Sequence, residues 1–197
     1  MESHSATVAD RDKGMLVVVD IQERLASAMP ERERVLSATG LLVRSAAIAG
    51  LPILVTRQYP RGLGELEPAV LEVLDEAREQ GAHVESVDKL SFDCFAEPAF
   101  SAIAEKFGRR QLIVCGMESH ICVTQTALAG LARGFDVHVV ADASCSRDSR
   151  NHDLALMRLA HAGAVPTSAE SVAYELIGCA GTEEFKRLLA AVKARDV

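Results

Sequence analysis

Short apolar runs alternate with longer stretches of helical periodicity from residue 14 almost to the end of the chain. Residues 15–19, MLVVV, form a continuous apolar run of the kind expected for a parallel strand buried on both faces. The spacing of Val35, Leu36, Leu42, Val43 and Ala46 predicts a helix over 31–50, with Gly50 as its C-cap and Pro52 just beyond. Residues 53–56 read as a second strand. The stretch 57–64, with Pro60, Gly62 and Gly64, reads as a loop. Pro68 opens a helix to about residue 80, followed by a third strand over 83–87 and a helix near 99–107. A fourth strand over 111–115 turns at Gly116 into a helix that ends near Gly134. A fifth strand covers 136–140. Beyond it come helices over roughly 150–162, 169–177 and 183–193, with a short sixth strand around 164–166. This alternation predicts a three-layer α/β/α fold around a mainly parallel sheet.

The 197 residues suit one domain with a substantial core. Residues 1–13, MESHSATVADRDK, are polar and predict a flexible N-terminal tail, leaving 14–197 as a single domain. A hydrophobic fraction of 49% with 25% charged residues is that of a soluble globular protein. The net charge of −7, without a basic cluster, argues against nucleic acid as a partner. Neither a signal-peptide stretch nor an apolar run near about 18 residues is present, so no membrane association is expected. Five cysteines, spaced neither as a disulfide framework nor as zinc knuckles, suit a reducing, cytoplasmic setting.

Ligands of open α/β sheets bind beyond the C-terminal ends of the strands. Three chemically distinct residues fall at such ends: Asp20, Lys89 and Cys122. Cys122 lies on the first turn of a predicted helix, where the dipole favours an anion and hence a thiolate. In amide hydrolysis through a thioester, Cys122 attacks the carbonyl carbon and Asp20 carries the proton to the leaving amine. Lys89 favours both anions, and backbone N–H groups around 116–122 are placed to receive an oxyanion. His120, two residues from Cys122, points elsewhere on a helix. Gln22 either reaches the same crevice or satisfies turn amides. Tyr59 and Phe92 either line the substrate site or cover the fold. Cys94 and Cys145 read as structural, and Arg147 and Arg150 as a solvated helix start.

The motifs VVDIQ at 18–22, KLSF at 89–92 and GMESHICV at 116–123 resemble those of the isochorismatase-like cysteine hydrolases. That superfamily includes nicotinamidases, N-carbamoylsarcosine amidohydrolase and isochorismatase. The resemblance runs from about residue 14 to 175 and extends to ALAGLARGFDV at 127–137 and VADA at 140–143. It implies an Asp20–Lys89–Cys122 catalytic triad and a six-stranded sheet ordered 3-2-1-4-5-6. It also implies a cis Met117–Glu118 peptide, with the amides of Glu118 and Cys122 as oxyanion donors. Nicotinamidases carry an Asp-x-His metal motif after strand two. Here that loop reads Arg57-Gln58-Tyr59-Pro60, so the chain looks like a metal-free subgroup with no cofactor. The expected activity is hydrolysis of a C–N bond in a small-molecule amide, with vinyl-ether hydrolysis of the isochorismatase type as the alternative. A non-catalytic α/β binding protein that keeps the fold is the rival of another class. The family commonly assembles around the active-site crevice, which implies a homo-oligomer.

Overall fold

Six strands, all parallel, form one sheet ordered β3-β2-β1-β4-β5-β6 in a computed structural model that describes residues 7–195. In chain order the elements are β1 (Gly14–Val19), α1 (Glu23–Ala26), α2 (Arg32–Ala49), β2 (Ile53–Gln58), α3 (Pro60–Leu63), α4 (Pro68–Glu79), β3 (Val84–Lys89) and α5 (Pro98–Phe107). They continue with β4 (Gln111–Met117), α6 (Thr124–Ala132), β5 (Asp136–Cys145), α7 (Ser149–His161), β6 (Val165–Thr167), α8 (Ala169–Ile177) and α9 (Glu183–Lys193). A 3₁₀ turn at Cys94–Ala96 and a π-helical turn at Ser119–Val123 interrupt the connections.

Alternation along β1 sorts the core into two layers. Leu16 and Val18 pack with α2, α4, α8 and α9, whereas Met15, Val17 and Val19 pack with α5, α6 and α7. The helices begin and end where local chemistry requires. Pro68 and Pro98 open α4 and α5, where no intrahelical N–H bond is lost. Asp148, Ser168 and Thr182 cap α7, α8 and α9 with side-chain oxygens that accept from Arg150, Ser171 and Phe185 amides. Gly50, with φ of 75°, closes α2.

Several expected boundaries move in the structure, most of them toward the C-terminal edge of the sheet. β3 runs on to Lys89, β4 passes Gly116 to Met117, and β5 reaches Cys145. Between β4 and β5 the register shifts, from Val114 opposite Val139 to Gly116 opposite Ser144. The segment read as a loop over 57–64 holds the last residues of β2 and the short helix α3.

Residues 1–6 of the expected tail lie outside the described residues. Its second half is held against the domain, which departs from a flexible reading. Ala9 is 2% exposed, and its N–H donates to Glu175 Oε2 at 2.8 Å. The Asp10 N–H donates to Gln111 Oε1 at 2.7 Å, and Arg11 pairs with Glu184 at 2.8 Å. The polar side chains that suggest solvation find partners on the domain instead. Among the described residues, no helix is long and apolar enough to cross a membrane.

Candidate active site

On the α5–α6–α7 side of the sheet, the apolar rows of the strands turn polar at their C-terminal ends. Leu54 is followed two residues later by Thr56 and then Gln58, and Val87 by Lys89. Parallel pairing sets Thr56 beside Val19 and Gln58 beside Lys89. Asp20 follows directly on β1 with φ of 53°, a left-handed conformation that Asp adopts more readily than most residues.

The Asp20 carboxylate and the Lys89 ammonium form an ion pair, Nζ to Oδ2 at 2.6 Å, with both side chains wholly inaccessible to solvent. Thr56 Oγ1 donates to Oδ1 of Asp20 at 2.7 Å. Lys89 also donates to Gln58 Oε1 at 2.6 Å and to the Ser91 carbonyl at 3.2 Å. Its three N–H directions are therefore all engaged inside the protein. The loop beyond is fixed in turn by Glu97 Oε1, which accepts from the amides of Leu90 and Ser91, each at 2.9 Å. Burial is the largest influence and works against the ammonium, but the groups around it, Asp20 foremost, together outweigh it and hold the Lys89 pKa above its ordinary value.

Cys122 approaches this pair from the π-helical turn, 5% exposed. Apart from the Lys89 ammonium, no side chain among the described residues bonds Asp20 Oδ2, and Cys122 lies near enough to the carboxylate to feel its charge. The structure overturns the expectation of a resting thiolate. Burial, and then Asp20, push the Cys122 pKa up, and the opposing pull of Lys89 is the smaller effect. The cysteine rests as a thiol next to a carboxylate that can take its proton.

Gly116 makes room for this arrangement. Its φ is 128°, and a Cβ there would lie 2.0 Å from the Val19 carbonyl oxygen. Only glycine lets β4 pass so close to β1 just before the segment that carries Cys122. The Met117–Glu118 peptide is cis.

The remaining candidates separate. Gln22 is fully buried and spends its amide on backbone: Oε1 accepts from Gln58 N at 2.7 Å, while Nε2 donates to the carbonyls of Gln58 and Gly64. It anchors the end of β2 rather than facing the crevice. Tyr59, 51% exposed, and Phe92, 52% exposed, follow β2 and β3 at the same sheet edge. His120 turns to Ser146 Oγ at 2.9 Å. Arg147 is not a free solvated residue, since its N–H and Nε both donate to Glu118 Oε2. Cys94 lies beneath the site, its Sγ 4.0 Å from Thr56 Oγ1, and burial pushes its pKa up to about 12. Among the described residues no His, Cys, Asp and Glu side chains cluster so as to hold a metal ion.

Sequence reasoning missed Thr56 and Gln58, although the signal was present. Two polar residues at period two, ending an otherwise apolar strand, mark a face that meets something other than core.

The Isochorismatase domain model matches residues 14–171. The chain belongs to the isochorismatase family. It is 36% identical over 175 residues to isochorismatase domain-containing protein 1 of Salmo salar, covering 89% of this chain and 59% of that protein. The chain thus spans little more than half the length of that relative. Among solved structures, the MAR1 ribonuclease of Caenorhabditis elegans superposes with a TM-score of 0.86 at 30% identity, covering 96% of this chain and 95% of that one. YcaC from Pseudomonas aeruginosa, solved with hexane-2,5-diol and covalent acrylamide, gives a TM-score of 0.82 at 26% identity over 96% and 93% of the two chains. The isochorismatase family is hydrolytic, and its three-layer architecture and strand order are those of this chain.

Proposed function

We propose that this isochorismatase-family protein is a metal-independent cysteine hydrolase that cleaves a C–N bond in a small amide. The observation that carries the reading is Cys122 set beside the buried Asp20–Lys89 ion pair, with the other Asp20 oxygen tied to Thr56. Asp20 takes the thiol proton as Sγ attacks the amide carbonyl carbon, forming an S–C bond. Lys89 offsets the negative charge as it moves from carboxylate to sulfur. The amides of Glu118 and Cys122 receive the oxyanion, a type of contact worth roughly 3–4 kcal/mol. Collapse breaks the C–N bond, and the amine leaves with the proton that Asp20 held. Water then attacks the thioester with Asp20 as base, releasing the acid and restoring the thiol.

Tyr59 and Phe92 are placed to flank an entering substrate, since they stand half-exposed beyond the strands that carry Gln58 and Lys89. The name of the C. elegans neighbour raises RNA as a substrate for that protein. For this chain, a net charge of −7 and a site built to relay one thiol proton weigh for a small uncharged amide. The covalent acrylamide on the P. aeruginosa neighbour is in keeping with a reactive group in this fold.

Mass spectrometry of the protein mixed with a library of small amides tests the reading. The expected result is an acyl adduct on Cys122, absent from Cys122→Ala and from Asp20→Asn. Turnover of an amide at the wild-type rate by Cys122→Ala overturns it.

A further inference from the structure

Three consecutive side chains from the Met117–Glu118 peptide onward are held from the β5–α7 connection and the first turn of α7. Glu118 Oε2 accepts from Arg147 N at 2.9 Å and Nε at 3.1 Å. Ser119 Oγ meets His152 Nδ1 at 2.8 Å, and His120 Nδ1 meets Ser146 Oγ at 2.9 Å. The Ser119 carbonyl is fixed separately, by Thr124 Oγ1 at 2.6 Å. These contacts converge on the segment whose Glu118 and Cys122 amides serve as oxyanion donors in the mechanism above.

The three contacts are unequal. Arg147 is 62% exposed, and an ion pair so open to water adds little. The Ser119–His152 contact differs, because Ser119 is only 1% exposed and the imidazole is the partner of its buried hydroxyl. Burial and then Arg34 hold the His152 pKa below its usual value, against the opposing charges of Asp153 and Glu31, so the ring is neutral at neutral pH. A neutral imidazole carries one donor and one acceptor nitrogen, so Nδ1 accepts from the Ser119 hydroxyl in one tautomer and donates to it in the other.

We propose that His152, acting through Ser119, is a positioning residue that sets the oxyanion donors of Glu118 and Cys122 against the substrate carbonyl. The proposal rests on the cysteine-hydrolase reading. Oxyanion donors work only when held within a few tenths of an ångström of the developing charge. A segment that leaves β4 at Met117 and enters α6 through a π-turn has few backbone restraints of its own, chiefly the Ile121 and Val123 amides on the Glu118 carbonyl. His152 sits in the first turns of the 13-residue helix α7 and supplies one from outside. It also borders a cavity of about 160 Å³ lined by Glu31, Arg34, Cys145, Ser146 and Ser149. Shortening the side chain therefore enlarges existing space rather than opening a close-packed core.

Two reagents separate positioning from general loss of structure. Addition of acrylamide joins Cys122 Sγ to the β-carbon, moves the thiol proton to the α-carbon and passes negative charge through the carbonyl oxygen, so it draws on the oxyanion donors. Exchange with a dipyridyl disulfide forms one S–S bond, breaks another and releases a thiopyridone, with no carbonyl oxygen involved. Both rates are followed at Cys122 by peptide mass spectrometry, with the exposed Cys179 as the internal reference in each sample. The expected result for His152→Ala is a loss of about tenfold or more in the acrylamide rate, within the range for a displaced oxyanion donor. The disulfide rate should change less than about twofold on the same argument. His152→Asn, which returns a hydrogen-bonding atom near Nδ1, should restore most of the acrylamide rate. Equal losses with both reagents, or no loss with either, overturn the positioning role. A wild-type protein that forms no acrylamide adduct at Cys122 overturns the hydrolase reading, and this proposal with it.

Discussion

Lys89 Nζ lies 2.6 Å from Asp20 Oδ2 in a region that water does not reach from either side. The pair joins the ends of β1 and β3, two strands separated in the sheet by β2. Between them stand Thr56 and Gln58 of β2, one bonded to each charge. The charges and their neutral partners behave as one unit, which makes the effect of removing any member predictable.

Lys89→Met removes the only cation that contacts Asp20 within the described site and leaves the carboxylate buried. Breaking a buried pair in this way costs about 3–5 kcal/mol, to be read as a fall in the urea midpoint at pH 7. The double variant Lys89→Met/Asp20→Asn should recover part of that loss and still lack Cys122 reactivity. Recovery of nothing would show that the charge left behind was not the cause.

Thr56→Val keeps the shape of the strand but takes the hydrogen bond from Asp20 Oδ1. An unpaired buried acceptor costs roughly 1–3 kcal/mol. The carboxylate also loses the bond that fixes its orientation beside Cys122, so alkylation of Cys122 should slow, and Thr56→Ser should restore it. Unchanged alkylation in a folded Thr56→Val protein would remove Thr56 from the positioning of Asp20.

The buried cysteines set an alkaline limit on stability. Cys94 and Cys115 are each pushed up to about 12 by burial, Cys145 to about 11, and Cys122 is raised as well. A thiol whose folded pKa lies above its unfolded value, near 8.5, favours folding at lower pH and loses that contribution as pH rises toward the folded pKa. This thiol contribution to stability should be flat below about pH 8 and fall beyond it. The thiolate absorbance near 240 nm of a Cys179→Ser protein should show none of the four buried cysteines ionised in the native state at pH 7. A native thiolate signal at that pH would contradict the neutral resting state of Cys122.

Gly116→Ala should be among the most damaging single substitutions in the chain. The added methyl meets the Val19 carbonyl oxygen at 2.0 Å in a backbone conformation that L-residues avoid. A loss of more than about 3 kcal/mol is expected, or failure to accumulate as folded protein. Gly50→Ala provides the control, since its φ of 75° is also left-handed but nothing lies within 4 Å of the added carbon. It should cost about 1 kcal/mol.

Much of this fold was legible because its strands announce themselves. Residues 15–19 and 111–115 are apolar runs with no polar residue but Gln111, and such runs have few places to go but the middle of a parallel sheet. The strand order came from motif resemblance, whereas Asp20, Lys89 and Cys122 stood out as chemically distinct residues at the ends of predicted strands. The ends of strands were misjudged because polarity was read as the end of structure. Lys89, Gln58 and Ser144 are polar, yet each lies within a strand, where Lys89 donates to Gln58 and the Ser144 hydroxyl accepts from the Gly116 N–H. The ionisation of Cys122 was misjudged for a related reason. A helix start favours a thiolate, but nothing in the sequence tells how deeply the sulfur is buried or that a carboxylate stands against it. The Ser119–His152 bond joins residues 33 apart through a register shift in β5 that no local pattern encodes.

With its thiol protonated, the buried centre holds one positive and one negative group and is electrically balanced. An uncharged amide enters without disturbing that balance. Under the hydrolase reading the reaction itself then creates a second carboxylate beside Asp20, with every N–H of Lys89 already engaged. Two like charges and a single occupied counter-ion make the acid the least welcome occupant of the site. Turnover would thus expel its own product by repulsion, and inhibition by the acid should strengthen as falling pH neutralises it.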